Sequence, residues 1–241
     1  MNAALAATAT VADYDRIFET ERAVAYPMVD ALEQRMGHAL DRSRLEGAAR
    51  VLACPLKANA PNWQHGRVLY ALARHYVETV QPSAPVTLLD VGTAKGFSAL
   101  CLEWSLEDRE GDIYSVDVLD PSERVRRNTV AEVDGYKTLS ETLAQWPEAS
   151  AIHFEQSTGI DWLKRHPERI HVAFVDGKHS GDVVVKEGKL LADRQQSGDV
   201  TMFDDVQIHG VAQALKSLDC YAFEYLDLAP VDRKYAIGVR R

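Results

Sequence analysis

Three aspartates and a histidine in the second half of the chain are the residues best suited to chemistry. Asp176 closes an apolar run in FVDGKHS, and Asp204 and Asp205 close another in MFDDV. Carboxylates held close together repel one another unless protons or a cation neutralise them. A hard divalent ion with oxygen ligands suits such a set: Mg²⁺, with Mn²⁺ or Ca²⁺ as alternatives. A cation at that point lowers the pKa of a hydroxyl and holds its oxygen for reaction. His179 is a candidate proton acceptor, because a neutral imidazole works as a base near neutral pH. Lys178 competes for that role, although its ammonium must first lose a proton. His209 follows Asp205 closely and is a further candidate at the same place, or simply the start of a helix. Taken singly, each aspartate also suits a loop or a helix cap.

A second constellation lies upstream, in Asp90-Val91-Gly92-Thr93-Ala94-Lys95-Gly96-Phe97-Ser98. Gly92 and Gly96 let the backbone turn tightly and approach a ligand closely. The helix that opens here offers unpaired N–H groups to an anion. Further on, Asp117 ends a second apolar run, where an acid can accept the hydroxyls of a ribose. Two ligand classes fit, a dinucleotide or S-adenosylmethionine (SAM). The spacing is G-x-x-x-G, with Thr93 and Ala94 inside it. It lacks the middle glycine that brings backbone close to a pyrophosphate, which counts against the dinucleotide.

These residues need a scaffold that gathers them. From residue 86 onward, strand and helix patterns alternate. Residues 86–91, 112–118, 151–156, 171–177 and 199–206 are apolar runs with β-branched residues, separated by helical runs such as FSALCLEWSL and DVVVKEGKLLADRQ. Two closing runs, CYAFEYLDL and KYAIGVRR, leave no room for a helix between them and form an antiparallel pair at one edge. The expected fold is α/β: a Rossmann-like, doubly wound sheet of about seven strands, the last antiparallel. Ligands bind such sheets beyond the carboxyl ends of the strands. Asp90, Gly92, Asp117, Gln156, Ser157, Asp176, Asp204 and Asp205 all fall there.

Upstream, residues 13–85 read as a helical extension broken at Pro55 and Pro61, with Val68, Leu69, Leu72 and Tyr76 on one helix face. It is expected to serve as a lid or an oligomer contact, with Trp63 in core packing. Residues 1–12 read as a flexible tail, and 86–241 as the ligand-binding domain. The 241 residues carry a formal net charge of -9, which disfavours nucleic acid as the main partner. The 3 cysteines are scattered, which fits a reducing, cytoplasmic setting. No signal peptide or membrane span is expected.

The run V-G-T-A-K-G-F-S-A-L resembles the first motif of class I SAM-dependent methyltransferases. In particular it resembles the metal-dependent O-methyltransferases of the catechol and caffeoyl-CoA type, and it also looks like the macrocin-type sugar O-methyltransferases. The resemblance covers residues 86 to about 206. It implies that Asp90 and Gly92 lie at the methionine part of SAM, with Thr93 and Gly96 in the same loop. Ser98 then lies near the carboxylate, Asp117 on the ribose, and Ser157, after Gln156, near the adenine. Where the family often has Gly-Asp-Ser or Gly-Ala-Ser, this chain has Glu155-Gln156-Ser157. Asp176, Asp204 and Asp205 match the family's metal ligands, with Asp176 also beside the cofactor. The family's proton acceptor is a Lys at the offset that His179 occupies here; Lys178 stands one position early. The resemblance implies SAM and Mg²⁺ as cofactors and methyl transfer to a hydroxyl of a small molecule. Sugars, catechols and polyketide-like compounds are all suitable acceptors. An NAD-type oxidoreductase and a non-catalytic nucleotide-binding protein are the alternatives. A homodimer is the expected assembly.

Overall fold

A computed structural model describes residues 10–54, 62–81, 83–107, 109–127, 136–229 and 231–241. Residues 1–9 of the expected tail, and the expected breaks at Pro55 and Pro61, lie outside the described residues. The first helix, α1 (Val11–Arg22), begins inside the expected tail because Thr10 and Asp13 form a reciprocal capping box at its start. Helix α2 (Pro27–Met36) starts on a proline and stops at Gly37, whose φ of 77° suits the left-handed turn that ends a helix. Helices α3 (Arg42–Ala48) and α4 (Gln64–His75) complete the N-terminal segment.

The sheet then follows: β1 (Val86–Val91), α5 (Phe97–Leu106), β2 (Gly111–Asp117), the short α6 (Leu139–Thr142), β3 (Ile152–Gln156), α7 (Gly159–Arg165), β4 (Val172–Val175), α8 (Gly181–Ala192), β5 (Val200–Phe203), α9 (His209–Leu215), β6 (Tyr221–Asp227) and β7 (Lys234–Arg240). The strand order is β3-β2-β1-β4-β5-β7-β6. The first five strands are parallel, and β7 runs antiparallel to both β5 and β6. This is the Rossmann-like sheet expected, with its last strand inserted antiparallel. Strands β4 and β5 are shorter than their apolar runs, because the chain turns away after Val175 and Phe203. Asp205, at φ 56°, makes the second of those turns.

Alternation along the strands feeds two cores. Leu88, Phe174 and Met202 face one side with Phe18, Leu32, Leu69 and Leu100. Leu89, Ala173 and Phe203 face the other with Trp162, Leu191 and Val211. The N-terminal helices therefore share a core with the sheet and form part of the layer covering one face. Buried charge ties that layer together. Arg67, 3% exposed, donates to Glu33 at 2.8 Å through Nε and also bonds Asp30. Tyr76 donates to Asp199, itself held by Arg169 at 2.8 Å, joining the segment to the start of β5. Among the described residues, no helix is long and apolar enough to cross a membrane.

Removing one member of a buried ion pair leaves the other charge poorly compensated; without Arg67, Glu33 keeps only Arg42, at 3.3 Å. Arg67→Met should lower unfolding stability by about 3–5 kcal/mol, read by urea denaturation; a change within about 0.5 kcal/mol would contradict this account of the layer.

Candidate active site

The sheet order reverses between β1 and β4, which opens a crevice at their carboxyl ends. Val91 pairs with Val116 and Val175, and Val175 with Phe203, so the residues that follow start level with one another. The backbone ladder continues past the strands: Gly92 donates to Val116 at 2.8 Å, Asp176 to Val91 at 2.8 Å, and Asp204 to Val175 at 3.1 Å. A cavity of about 770 Å³ lies there, within the size range of small-molecule sites. Gly92, Asp117, Ser157, Asp176, Lys178 and His179 are among the residues that line it.

The cofactor loop is built by its neighbours. Gly92 has φ 105°, and a Cβ there would stand 2.3 Å from the carbonyl oxygen of Asp176, so only glycine fits. Asp117 accepts the Ala94 N–H at 3.0 Å and the Leu119 N–H at 2.9 Å, which ties the loop to the end of β2. Ser157 lines the cavity and accepts a bond from Arg165 at 3.0 Å.

Other expected contacts fall elsewhere. Asp90 lies inside β1, not at its end; alternation turns its side chain away from the cavity, and it is fully buried. It accepts from Ser115 at 2.6 Å, and Ser115 is bonded to Thr93 at 2.7 Å. Burial pushes the Asp90 carboxyl up to about 7, against the pull of the Ser115 and Ser98 hydroxyls. Asp90, Thr93 and Ser98 thus hold the loop from beneath. Gly96 ends the loop at φ 86°, packed against Leu143, and Gln156 bonds the Val118 carbonyl at 3.1 Å; neither lines the cavity. His209 is exposed at the start of α9 and stands outside the acidic cluster. Trp63 is buried against Phe18, as core packing requires.

The acids regroup. Asp176, His179 and Asp205 each offer a ligand atom within 4.8 Å of the others. His179 Nδ1 lies 2.9 Å from Asp205 Oδ2 and 4.0 Å from Asp176 Oδ1. Asp204 does not join them as expected. Its side chain is 2% exposed and meets Arg233 at 2.7 Å, a cation delivered by the turn between β6 and β7. Arg233 also reaches Asp205 at 3.2 Å, and Gln207 donates to Asp205 at 2.6 Å. Nothing in the local sequence around the aspartates announces Arg233; only the antiparallel insertion of β7 brings it here.

These contacts set the charges. Its bond to Asp205 raises the His179 pKa above the ordinary imidazole value. Burial alone would raise Asp205, but His179 and Arg233 outweigh it and bring that carboxyl to about 2. Burial would lower Arg233, yet Asp204, Tyr235 and Asp205 raise it above a free guanidinium. Three carboxylates therefore face one fixed cation and one titratable one. The cluster has the hard oxygen donors and the residual negative charge that a divalent ion requires.

The family profile described as a methyltransferase domain matches residues 89–206. Similar solved structures include the O-methyltransferase of Bacillus cereus in complex with SAH, at 12% identity and TM-score 0.54, covering 96% of this chain and 98% of that one. The O-methyltransferase TomG of Streptomyces achromogenes, in complex with SAM and involved in tomaymycin synthesis, has 16% identity and TM-score 0.54, covering 84% and 91%. An rRNA methylase of Streptococcus thermophilus has 9% identity and TM-score 0.51, covering 72% and 95%. No curated protein matches the sequence.

The buried Asp90 gives a pH signature. Its folded pKa is raised, so the folded state keeps a proton that the unfolded chain releases. Stability from this group is full at low pH and is lost as pH rises between 3.8 and about 7. Asp90→Asn should flatten the stability–pH curve over that window in urea titrations; an unchanged slope would contradict the assignment.

Proposed function

We propose that this chain, a SAM-dependent methyltransferase, carries a methyl group to a hydroxyl of a small molecule with a divalent cation beside the acceptor. The observation that carries the finer reading is the Asp176–His179–Asp205 cluster, of which Asp176 and His179 line the cavity that Asp117 also lines. SAM supplies the electrophile, a methyl on a sulfonium. In the transfer the sulfur–methyl bond breaks, an oxygen–methyl bond forms, and the hydroxyl proton must leave.

Asp117, already fixed by two backbone N–H groups, keeps lone pairs for ribose hydroxyls. Asp176 and Asp205 would hold the cation, which supplies Lewis acidity toward the acceptor oxygen. Asp204 supports them from behind by anchoring Arg233, which in turn contacts Asp205. His179 donates from Nδ1 to Asp205, which fixes its tautomer and leaves Nε2 to take the hydroxyl proton. Lys178 lines the same cavity and is the alternative acceptor of that proton.

The N-terminal segment supports an acceptor on this side. Asn62 bonds the hydroxyl of Tyr235, the neighbour in sequence of Lys234 and close to Arg233, and Glu21 feels the charge of Arg233. We assign residues 13–85 a covering role there. Net charge of -9 favours a small acceptor over the RNA named for one structural neighbour. The G-x-x-x-G loop and the methyltransferase match weigh against an NAD-type oxidoreductase. A cytoplasmic homodimer completes this reading.

Turnover is expected with labelled SAM and vicinal diols or catechols, to stop with EDTA and to return with Mg²⁺. Activity indifferent to EDTA would remove the cation. Because His179 must be neutral to accept a proton and its pKa is raised, kcat/KM should rise with pH through a value above 6.5. His179→Ala should cut kcat about 10²–10⁴-fold while SAH affinity holds within about threefold. An unchanged kcat would dismiss the base.

A further inference from the structure

A buried carboxyl on the cavity wall has no part in that chemistry. Glu187 stands on α8, is 2% exposed and lines the cavity. Its Oε2 is buried and has no hydrogen-bond partner among the described residues. Its Oε1 packs against Gly159, where a Cβ would come within 2.4 Å, so the glycine makes room for the acid. The indole nitrogens of Trp63 and Trp162 are likewise buried without a partner among the described residues, but neither residue lines the cavity.

A buried polar group without a partner costs stability, and such groups persist where a ligand completes them. Burial lifts the Glu187 carboxyl to about 7, and no cation among the described residues pairs with it. In its neutral form a carboxyl presents one donor and one acceptor side by side. The edge of adenine presents the complement, a ring-nitrogen acceptor beside the donor of the 6-amino group. The surroundings suit a flat base better than a charged amino-acid moiety. Val183 lies one turn before Glu187 on the same helix face, and Val91 and Ile160 line the cavity with them.

We propose that Glu187 reads the nucleobase of the methyl donor, donating to a ring nitrogen and accepting from the 6-amino group. This rests on the SAM reading. The recognising group comes from the helix after β4, against Gly159 at the start of α7, and it sets specificity for the donor without touching the acceptor.

The test is calorimetric titration of SAH, and of its analogue with hydrogen in place of the 6-amino group, into the full chain. Wild type should bind the analogue about 10-fold more weakly than SAH. Glu187→Leu should bind SAH about 10-fold more weakly than wild type and no longer distinguish the two ligands. Glu187→Gln, which keeps a donor beside an acceptor, should stay within about threefold of wild type. Without ligand, Glu187→Leu should melt at a higher temperature, since an unpaired polar group leaves the interior. Equal binding of both ligands by wild type would overturn the proposal even if the Leu variant failed to fold. So would undiminished SAH binding by Glu187→Leu, or a loss in Glu187→Gln as large as in Glu187→Leu, which would mark an ion pair. Failure of wild type to bind SAH at all would instead remove the donor reading on which the proposal stands.

Discussion

Like charges at the ends of adjacent strands are the constraint around which this molecule is arranged. Strands β4 and β5 are paired in register, and each is followed at once by an aspartate, so the fold itself forces carboxylates together. Their repulsion must be answered locally. Arg233 answers part of it by meeting Asp204 and Asp205, and His179 answers another part. A small anionic excess remains where the sheet opens to the cavity, in the position where a cation and an acceptor oxygen have use for it.

The same geometry explains why the cofactor loop and the acidic cluster are neighbours. Gly92 touches the backbone of Asp176 so closely that no side chain is possible between them. The loop after β1 and the turn after β4 are therefore one packed unit. Asp117 pins the loop from the β2 side, and the Asp90–Ser115–Thr93 chain pins it from below. Rigid supports on several sides are what a site needs in order to hold donor and acceptor in line.

Much of this was legible in the residue pattern. The alternation of apolar runs and helical stretches specified the parallel sheet, and the absence of a helix between the last two runs specified the antiparallel insertion. The residues that gather at the edge could be named because a strand end is marked by the shift from apolar to acidic residues. Side-chain direction was harder. Asp90 reads as an edge residue, yet β1 continues through Val91, and the period of two turns Asp90 inward. Asp204 reads as a ligand, but its partner Arg233 comes from a distant turn that local spacing cannot connect. The start of α1 lay in the Thr10–Asp13 capping box, a signal present in the residues and masked by the Ala- and Thr-rich run around it. The burial of Glu187 is not visible in the sequence, because its packing partner Gly159 lies on another helix.

Mn²⁺ binding followed by electron paramagnetic resonance, with SAH present, addresses the electrostatic claim most directly. The account expects one Mn²⁺ per wild-type chain and none in a variant carrying Asp176→Ala with Asp205→Ala, the folded state being retained. A wild-type chain that leaves all its Mn²⁺ free in solution would show that Arg233 and His179 neutralise the cluster by themselves.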